Sequence, residues 1–296
     1  MKVLLATDGS VHSESAAKFL TGLRFSGDDE IVVLHALSWV PVVSEWEMLY
    51  SDLKAIREEI APQILEEAEK SLSPVHAGIS SLTVDGYPAE VIHDTAADAG
   101  ADLIVMGASG LRGAASLIVG SVTKAVAVKS TKPVMIIRGT QEQKTGPMKV
   151  LFASDGSIYS EGVMKVLSSI PFPDDTEINI LNVVTTAFED IPERFAMEIN
   201  DRIKGIVAGA RETEFKESEK INRKAYDYLS KRFSNIEKLT KVGDPSEEIL
   251  NTAEALGADI IAVGNSGMRG LKGILGSVSR YVLNHAKCSI LIGKPL

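Results

Sequence analysis

The chain alternates short apolar runs with longer stretches in which apolar residues return every three or four positions. Runs at 3–6 (VLLA), 31–34 (IVVL), 103–106 (LIVM) and 134–137 (VMII) have the length of strands buried on both faces, and 82–85 (LTVD) completes a set of five. Between them lie helical patterns. Ala16, Ala17, Phe19 and Leu20 mark the first; Leu49, Leu53, Ile56, Ile60, Ile64 and Ala68 form a stripe that predicts a second. Pro62 inside that stripe predicts a kink or a restart. Pro88-Ala89-Glu90 opens a third helix, with proline in its favoured first turn, and a fourth is expected over 121–129. Strands alternating with helices predict a parallel α/β sheet covered on both sides.

The same pattern then repeats. KVLLATDGS at 2–10 returns as KVLFASDGS at 149–157, and GADLIVMGASGLRG at 100–113 as GADIIAVGNSGMRG at 257–270. EIVVLHAL at 30–37 matches EINILNVV at 177–184, and KPVMIIR at 132–138 matches CSILIGK at 288–294. The offset between copies is 147 at the aspartates Asp8 and Asp155 and 157 at Gly107 and Gly264. The second copy therefore carries extra length, placed in 185–232, where Ile199, Ile203, Ile206, Val207 and Ala210 predict an amphipathic helix weakened by Gly205 and Gly209. A polar linker with Gly and Pro, GTQEQKTGPM at 139–148, separates the copies. Two homologous domains are expected, at 1–140 and 147–296, each an open parallel five-stranded sheet flanked by helices.

Composition narrows the classes. The 296 residues are 45% hydrophobic and 24% charged, an ordinary globular balance, and the net charge of −9 disfavours a nucleic-acid backbone as partner. A single cysteine, Cys288, leaves no intrachain disulfide and points to a reducing cytoplasm. The N-terminal apolar run ends at Asp8, too short for a signal peptide, and no run reaches the length of a membrane span.

Candidate chemistry gathers after the first and fourth strands. In an open α/β sheet, ligands bind beyond the carboxyl ends of the strands, where the strand order reverses. Asp8 follows the first strand, and Gly107, Gly110, Gly120 and Ser121 follow the fourth; Asp155 and Gly264, Gly267, Gly276 and Ser277 repeat the arrangement. Glycines before a helix N-terminus let backbone amides meet an anion. Neither G-x-x-x-x-G-K-[ST] nor a G-x-G-x-x-G after the first strand is present, so the kind of anion stays open on these grounds. A tight strand-to-helix connection without ligand is the competing explanation. Asp8 and Asp155 equally suit a turn or helix cap in Asp-Gly-Ser, and Arg112 and Arg269 equally suit solvated loops. His12 reads as an exposed helix residue, and Trp39 and Trp46 as packing or interface residues. His285 and Cys288 are too few for a metal site, and 211–224 is the mixed-charge face of a solvated helix.

The spacing Gly-x2-Gly-x9-Gly-Ser at Gly107, Gly110, Gly120 and Ser121 resembles that of the universal stress protein family, and the resemblance covers both copies. It implies an adenine-nucleotide alpha-hydrolase-like, Rossmann-like three-layer sandwich. It implies that Ala6, Thr7, Asp8 and the backbone of Ala36 border adenine and ribose, with Gly107 by the ribose. Gly110, Gly120, Ser121, Val122 and Thr123 would hold the phosphates, Ser121 and Thr123 adding hydroxyl donors. In the second copy Ala153, Ser154, Asp155 and Val183 match the first group, and Gly264, Gly267, Gly276, Ser277, Val278 and Ser279 the second. Met106 and Val263, just before the leading glycines, complete the set. The second copy has one residue fewer between Gly267 and Gly276, which predicts a displaced helix start and a weakened phosphate end.

The resemblance implies a nucleotide-binding stress-response regulator that takes ATP or AMP, with Mg accompanying ATP, and no catalytic residues. A weak ATP hydrolase, and a dimerisation module with vestigial sites, are the alternatives. An adenylyl-transferring enzyme would need a histidine pair or an acidic metal cluster near the phosphates, and the sequence offers neither. The resemblance also implies that the last strands, 134–137 and 290–292, meet across a pseudo-twofold axis within the chain, and a duplicated surface is expected to let two chains associate further as a homodimer.

Overall fold

A computed structural model describes residues 1–38, 47–109, 119–139, 146–185, 201–267 and 275–295. The first half runs β1 (Lys2–Thr7), α1 (Val11–Thr21), β2 (Glu30–Ser38), α2 (Glu47–Ser71), β3 (Gly78–Gly86), α3 (Pro88–Asp98), β4 (Leu103–Gly107), α4 (Ser121–Lys129) and β5 (Val134–Ile137). The second runs β6 (Lys149–Ala153), α5 (Ile158–Ser169), β7 (Glu177–Val184), α6 (Asp201–Leu229), β8 (Asn235–Val242), α7 (Pro245–Leu256), β9 (Ile260–Gly264), α8 (Ser277–His285) and β10 (Ser289–Gly293). The five strands predicted for each copy all form.

Each half is a parallel five-stranded sheet, in the orders β3-β2-β1-β4-β5 and β8-β7-β6-β9-β10. The two halves join because β5 pairs antiparallel with β10, with Met135 opposite Leu291 and Ile136 opposite Ile290. The result is one mixed ten-stranded sheet. Ile136, Met135, Ile290 and Leu291 are fully buried, as strands with neighbours on both edges and helices on both faces must be.

Two apolar layers run through both halves. Val3, Leu5, Val105 and Ile137 face α1 and α2 on one side, and the same layer continues into Phe152 and the buried faces of α5 and α6. Leu4, Ile104 and Ile136 face α3 and α4 on the other, continuing into Ile261 and Ile290 against α7 and α8. Equivalent helices thus lie on the same face while the joined strands run in opposite directions. The pseudo-twofold axis is therefore normal to the sheet, and the carboxyl ends of the two strand sets point to opposite ends of the molecule.

The second helix departs from the predicted stripe. It is one helix through Pro62 with no restart; proline lacks the amide that would bond to the carbonyl four residues earlier, that of Glu58, whose side chain is exposed. Ile56 and Ile60 are exposed, while Ala61, Ala68 and Leu72 are buried. A helix of 25 residues is roughly 37 Å long, longer than the nine-residue β2 and β3 it packs on, about 30 Å. Its N-terminal half overhangs the sheet, and periodicity alone could not show where the sheet ends. Leu49, Leu53 and the apolar positions at 199–207 lie outside the described side chains. No helix among the described residues is long and apolar enough to cross a membrane.

Candidate functional site

The strand order places β1 between β2 and β4, so the order reverses at β1 and a crevice opens between the carboxyl ends of β1 and β4. β6, between β7 and β9, repeats this at the opposite end of the molecule. Ala6 pairs with Met106, and Thr7 with His35 on β2, so Asp8 lies level with Ala36 and one residue past the level of Gly107. Ala153, Ser154, Asp155, Val183, Val263 and Gly264 fall at the same places in the second half.

The turn after the first strand is built alike in both halves. Gly9 and Gly156 sit at φ of +74° and +76°, where other residues are strained. The Asp8 carboxylate accepts from the amide of Ser10 at 3.1 Å, and the Asp155 carboxylate from that of Ser157 at 3.0 Å, closing an Asx turn. Ser10 and Ser157 then cap α1 and α5 by accepting from the amides of Ser13 and Ser160, both at 3.3 Å. The second half brings carboxylate and glycine loop together directly: a Cβ on Gly267 would lie 3.0 Å from Asp155 Oδ2.

The glycines after β4 and β9 have a packing role of their own. A Cβ on Gly107 would stand 2.7 Å from the His12 carbonyl group, and one on Gly264 2.9 Å from the Tyr159 Cβ. Their missing side chains let α1 and α5 close on the strand ends. His12 is accordingly half-buried rather than exposed.

The helices α4 and α8 each start on a glycine, Gly120 or Gly276, with no side-chain cap. α1, α5 and α7 are capped by Ser10, Ser157 and Asp244, while α3, which starts on Tyr87, also lacks a side-chain cap. The first intrahelical bonds run from the amides of Lys124 and Arg280 to those glycine carbonyls. The amides of Ser121, Val122 and Thr123, and of Ser277, Val278 and Ser279, precede the ladder at the positive end of the helix dipole. Side-chain hydroxyls are spent elsewhere. Thr123 Oγ1 donates to the Gly107 carbonyl at 3.0 Å and Ser279 Oγ to the Gly264 carbonyl at 2.5 Å, both side chains being buried. They tie the helix start to the strand end. Ser121 and Ser277 are both exposed.

The same ties correct the expectation that the shorter second loop displaces its helix. The Gly120 amide donates to the Ala108 carbonyl at 2.8 Å, and the Gly276 amide to the Asn265 carbonyl at 2.8 Å. Two equivalent bonds anchor each helix start to each strand end, although the second copy has one residue fewer between them. Gly110, Arg112 and Arg269 lie outside the described residues, as do Trp39 and Trp46.

Two features escaped the sequence. His35 Nδ1 lies 2.9 Å from the Thr7 carbonyl oxygen, and Asn182 Nδ2 donates to the Ser154 carbonyl at 2.7 Å, so each half has a buried polar side chain steadying the turn that carries its aspartate. A polar residue at the same place in two apolar strands was the available signal. The other is Asn265, buried where the first half has Ala108; its Oδ1 and the Ser266 Oγ have no hydrogen-bond partner among the described residues. Elsewhere, His285 stacks on Tyr281 with centroids 4.1 Å apart, and Lys216–Glu212 and Lys220–Glu217 pairs lace the exposed face of α6. No group of three potential metal ligands occurs among the described residues.

Fold and crevices define a doubled, adenine-nucleotide alpha-hydrolase-like α/β protein. The Universal stress protein family matches twice, over residues 1–138 and 147–294, and the chain belongs to that family. A universal stress protein of Mycolicibacterium smegmatis is 23% identical over 99% of this chain and 97% of its own length. Universal stress protein YxiE of Bacillus subtilis is 32% identical over 49% of this chain and 97% of its own. The crystal structure of a universal stress protein from Archaeoglobus fulgidus shares the fold along 99% of this chain and 96% of its own, with a TM-score of 0.64 at 20% identity.

Proposed function

We propose that this protein is an adenine-nucleotide-binding stress-response regulator, with one nucleotide, ATP or AMP, in each crevice. The observation that carries this is the pair of uncapped helix starts on Gly120 and Gly276, each tied beside a strand end where the sheet order reverses. Adenine and ribose lie against the turn of Asp8 or Asp155 and the β2 or β7 backbone at Ala36 or Val183. Phosphates meet the amides of 121–123 or 277–279. Mg accompanies the triphosphate in solution. Other solved members of the family are described as a universal stress protein in complex with cAMP and an Arabidopsis thaliana protein with AMP bound; the proposal for this chain rests on its own crevices.

Binding rather than turnover is the proposed signal. The Asp8 and Asp155 carboxylates and the Thr123 and Ser279 hydroxyls hold the scaffold, the hydroxyls with their protons committed to carbonyls. Calorimetric titration with AMP, ATP and Mg-ATP, beside an assay for released phosphate, tests the proposal. It expects saturable binding to both halves without turnover. An absence of binding would leave the protein as a dimerisation module, and hydrolysis at a steady rate would make it an ATPase.

A further inference from the structure

Arg138 and Lys294 are the residues that follow β5 and β10, at equivalent places in the two copies. Both are charged and both are buried, 4% and 3% exposed. Each crosses the seam. Arg138 Nη2 donates to the Leu283 carbonyl of α8 at 2.7 Å, and Lys294 Nζ to the Ala127 carbonyl of α4 at 2.9 Å.

Those carbonyls are particular ones. The last ladder bonds run to Val126 from Ser130 and to Val282 from Ala286, so Ala127 and Leu283 offer the first carbonyls left over at each helix C-terminus. A cation there also faces the negative end of the dipole. The opposite ends of these same helices frame the crevices. Each helix has nine residues, roughly 13 Å, a single rigid rod.

The cations are in turn fixed to the crevice of their own half. The Ala108 amide, next to Gly107, donates to the Ile137 carbonyl just before Arg138; the Asn265 amide donates to the Gly293 carbonyl just before Lys294. A continuous path thus leads from the first crevice through Ile137, Arg138 and Leu283 along α8 to the second, and its mirror runs back through Gly293, Lys294, Ala127 and α4. We propose that these exchanged cation caps couple the two crevices, so that occupancy of one changes the order of the helix that serves the other. The coupling rests on the nucleotide proposal above; the crossed attachment does not.

Hydrogen exchange on the full chain tests both. Without ligand, Lys294→Met should speed amide exchange about tenfold in α4, in the other half, while sparing α8; Arg138→Met should do the reverse. Lys294→Arg and Arg138→Lys, which keep a donor, should restore protection. Loosening confined to the mutated residue's own half would overturn the crossed attachment. For coupling, Ser277→Asp places a carboxylate at the start of α8 and repels phosphate from the second crevice. AMP added to that chain should protect α4 directly and α8 by transmission, with the α8 effect lost on adding Arg138→Met. Protection of α4 alone would overturn the coupling. No protection anywhere would overturn the nucleotide proposal and the coupling with it, and the ligand-free pattern would still decide the crossed attachment.

Discussion

The two halves reach the same crevice by loops of different length. From Ala108 to Gly120 the first loop is one residue longer than its counterpart from Asn265 to Gly276, yet the bonds at both ends match. Loop length is therefore a poor guide to where a helix begins when hydrogen bonds set its start. The halves differ instead in chemistry at fixed positions: His35 against Asn182 behind the turn, and Ala108 against Asn265 beneath the glycine loop. What differs between the sites is their lining, with the frame held constant.

The strongest way to break the equivalence is at the seam the halves share. Ile136→Asp or Leu291→Asp would bury an unpaired carboxylate in strands with no exposed surface. A loss of at least about 4 kcal/mol is expected, read as unfolding in denaturant together with splayed halves in small-angle scattering. Unchanged stability and shape would show that the seam does not hold the chain together.

The crossed cations sharpen the comparison by titration. Burial lowers the Lys294 pKa from 10.5 to about 8, so the folded chain holds fewer protons than the unfolded one between those values. The charged amine costs stability below pH 8; the cost is relieved as pH rises towards 10.5, and stability rises with it. The gain is on the order of 3 kcal/mol. It is measured as the difference in pH dependence between the wild-type chain and Lys294→Met, which should lack it. Arg138, also lowered by desolvation, stays charged throughout, so Arg138→Met should keep the rise.

The leading glycines come next. Gly107→Ala sets a methyl 2.7 Å from the His12 carbonyl group, and Gly264→Ala sets one 2.9 Å from the Tyr159 Cβ and 3.1 Å from backbone of Tyr159 and Ser266. Losses of about 1–3 kcal/mol are expected, the first larger than the second, because its approach is closer. Thermal unfolding of the two variants side by side decides it, and equal or reversed losses would contradict the contact geometry.

The smallest effect separates frame from ligand. Thr123→Val and Ser279→Ala should each cost about 1 kcal/mol in stability and leave AMP affinity within a few-fold of wild type. A tenfold loss of affinity without loss of stability would instead assign these hydroxyls to the phosphates, as the resemblance implied.

Much of this was legible in the chain. Uninterrupted apolar runs located the inner strands because burial on both faces leaves no polar positions to confuse them, whereas the edge strand β3, polar and half-exposed, ran beyond 82–85, and α4 came out at its observed bounds. Repetition of Asp-Gly-Ser and of the spaced glycines located both crevices. What stayed hidden depended on distant partners. Ile56 and Ile60 fit a buried stripe until the end of the sheet is known. Arg138 and Lys294 read as ordinary charges ending a strand, because nothing local shows a helix of the other half waiting for them. Gly107 drew attention as a ligand contact, while its close approach to α1 is visible only in three dimensions.

The nucleotide content of freshly purified protein decides whether both crevices bind adenine nucleotide. Extraction should yield adenine nucleotide approaching one molecule per half, with titration filling whatever purification has emptied. Protein that carries none, and takes up neither AMP nor ATP in calorimetry, would contradict that binding.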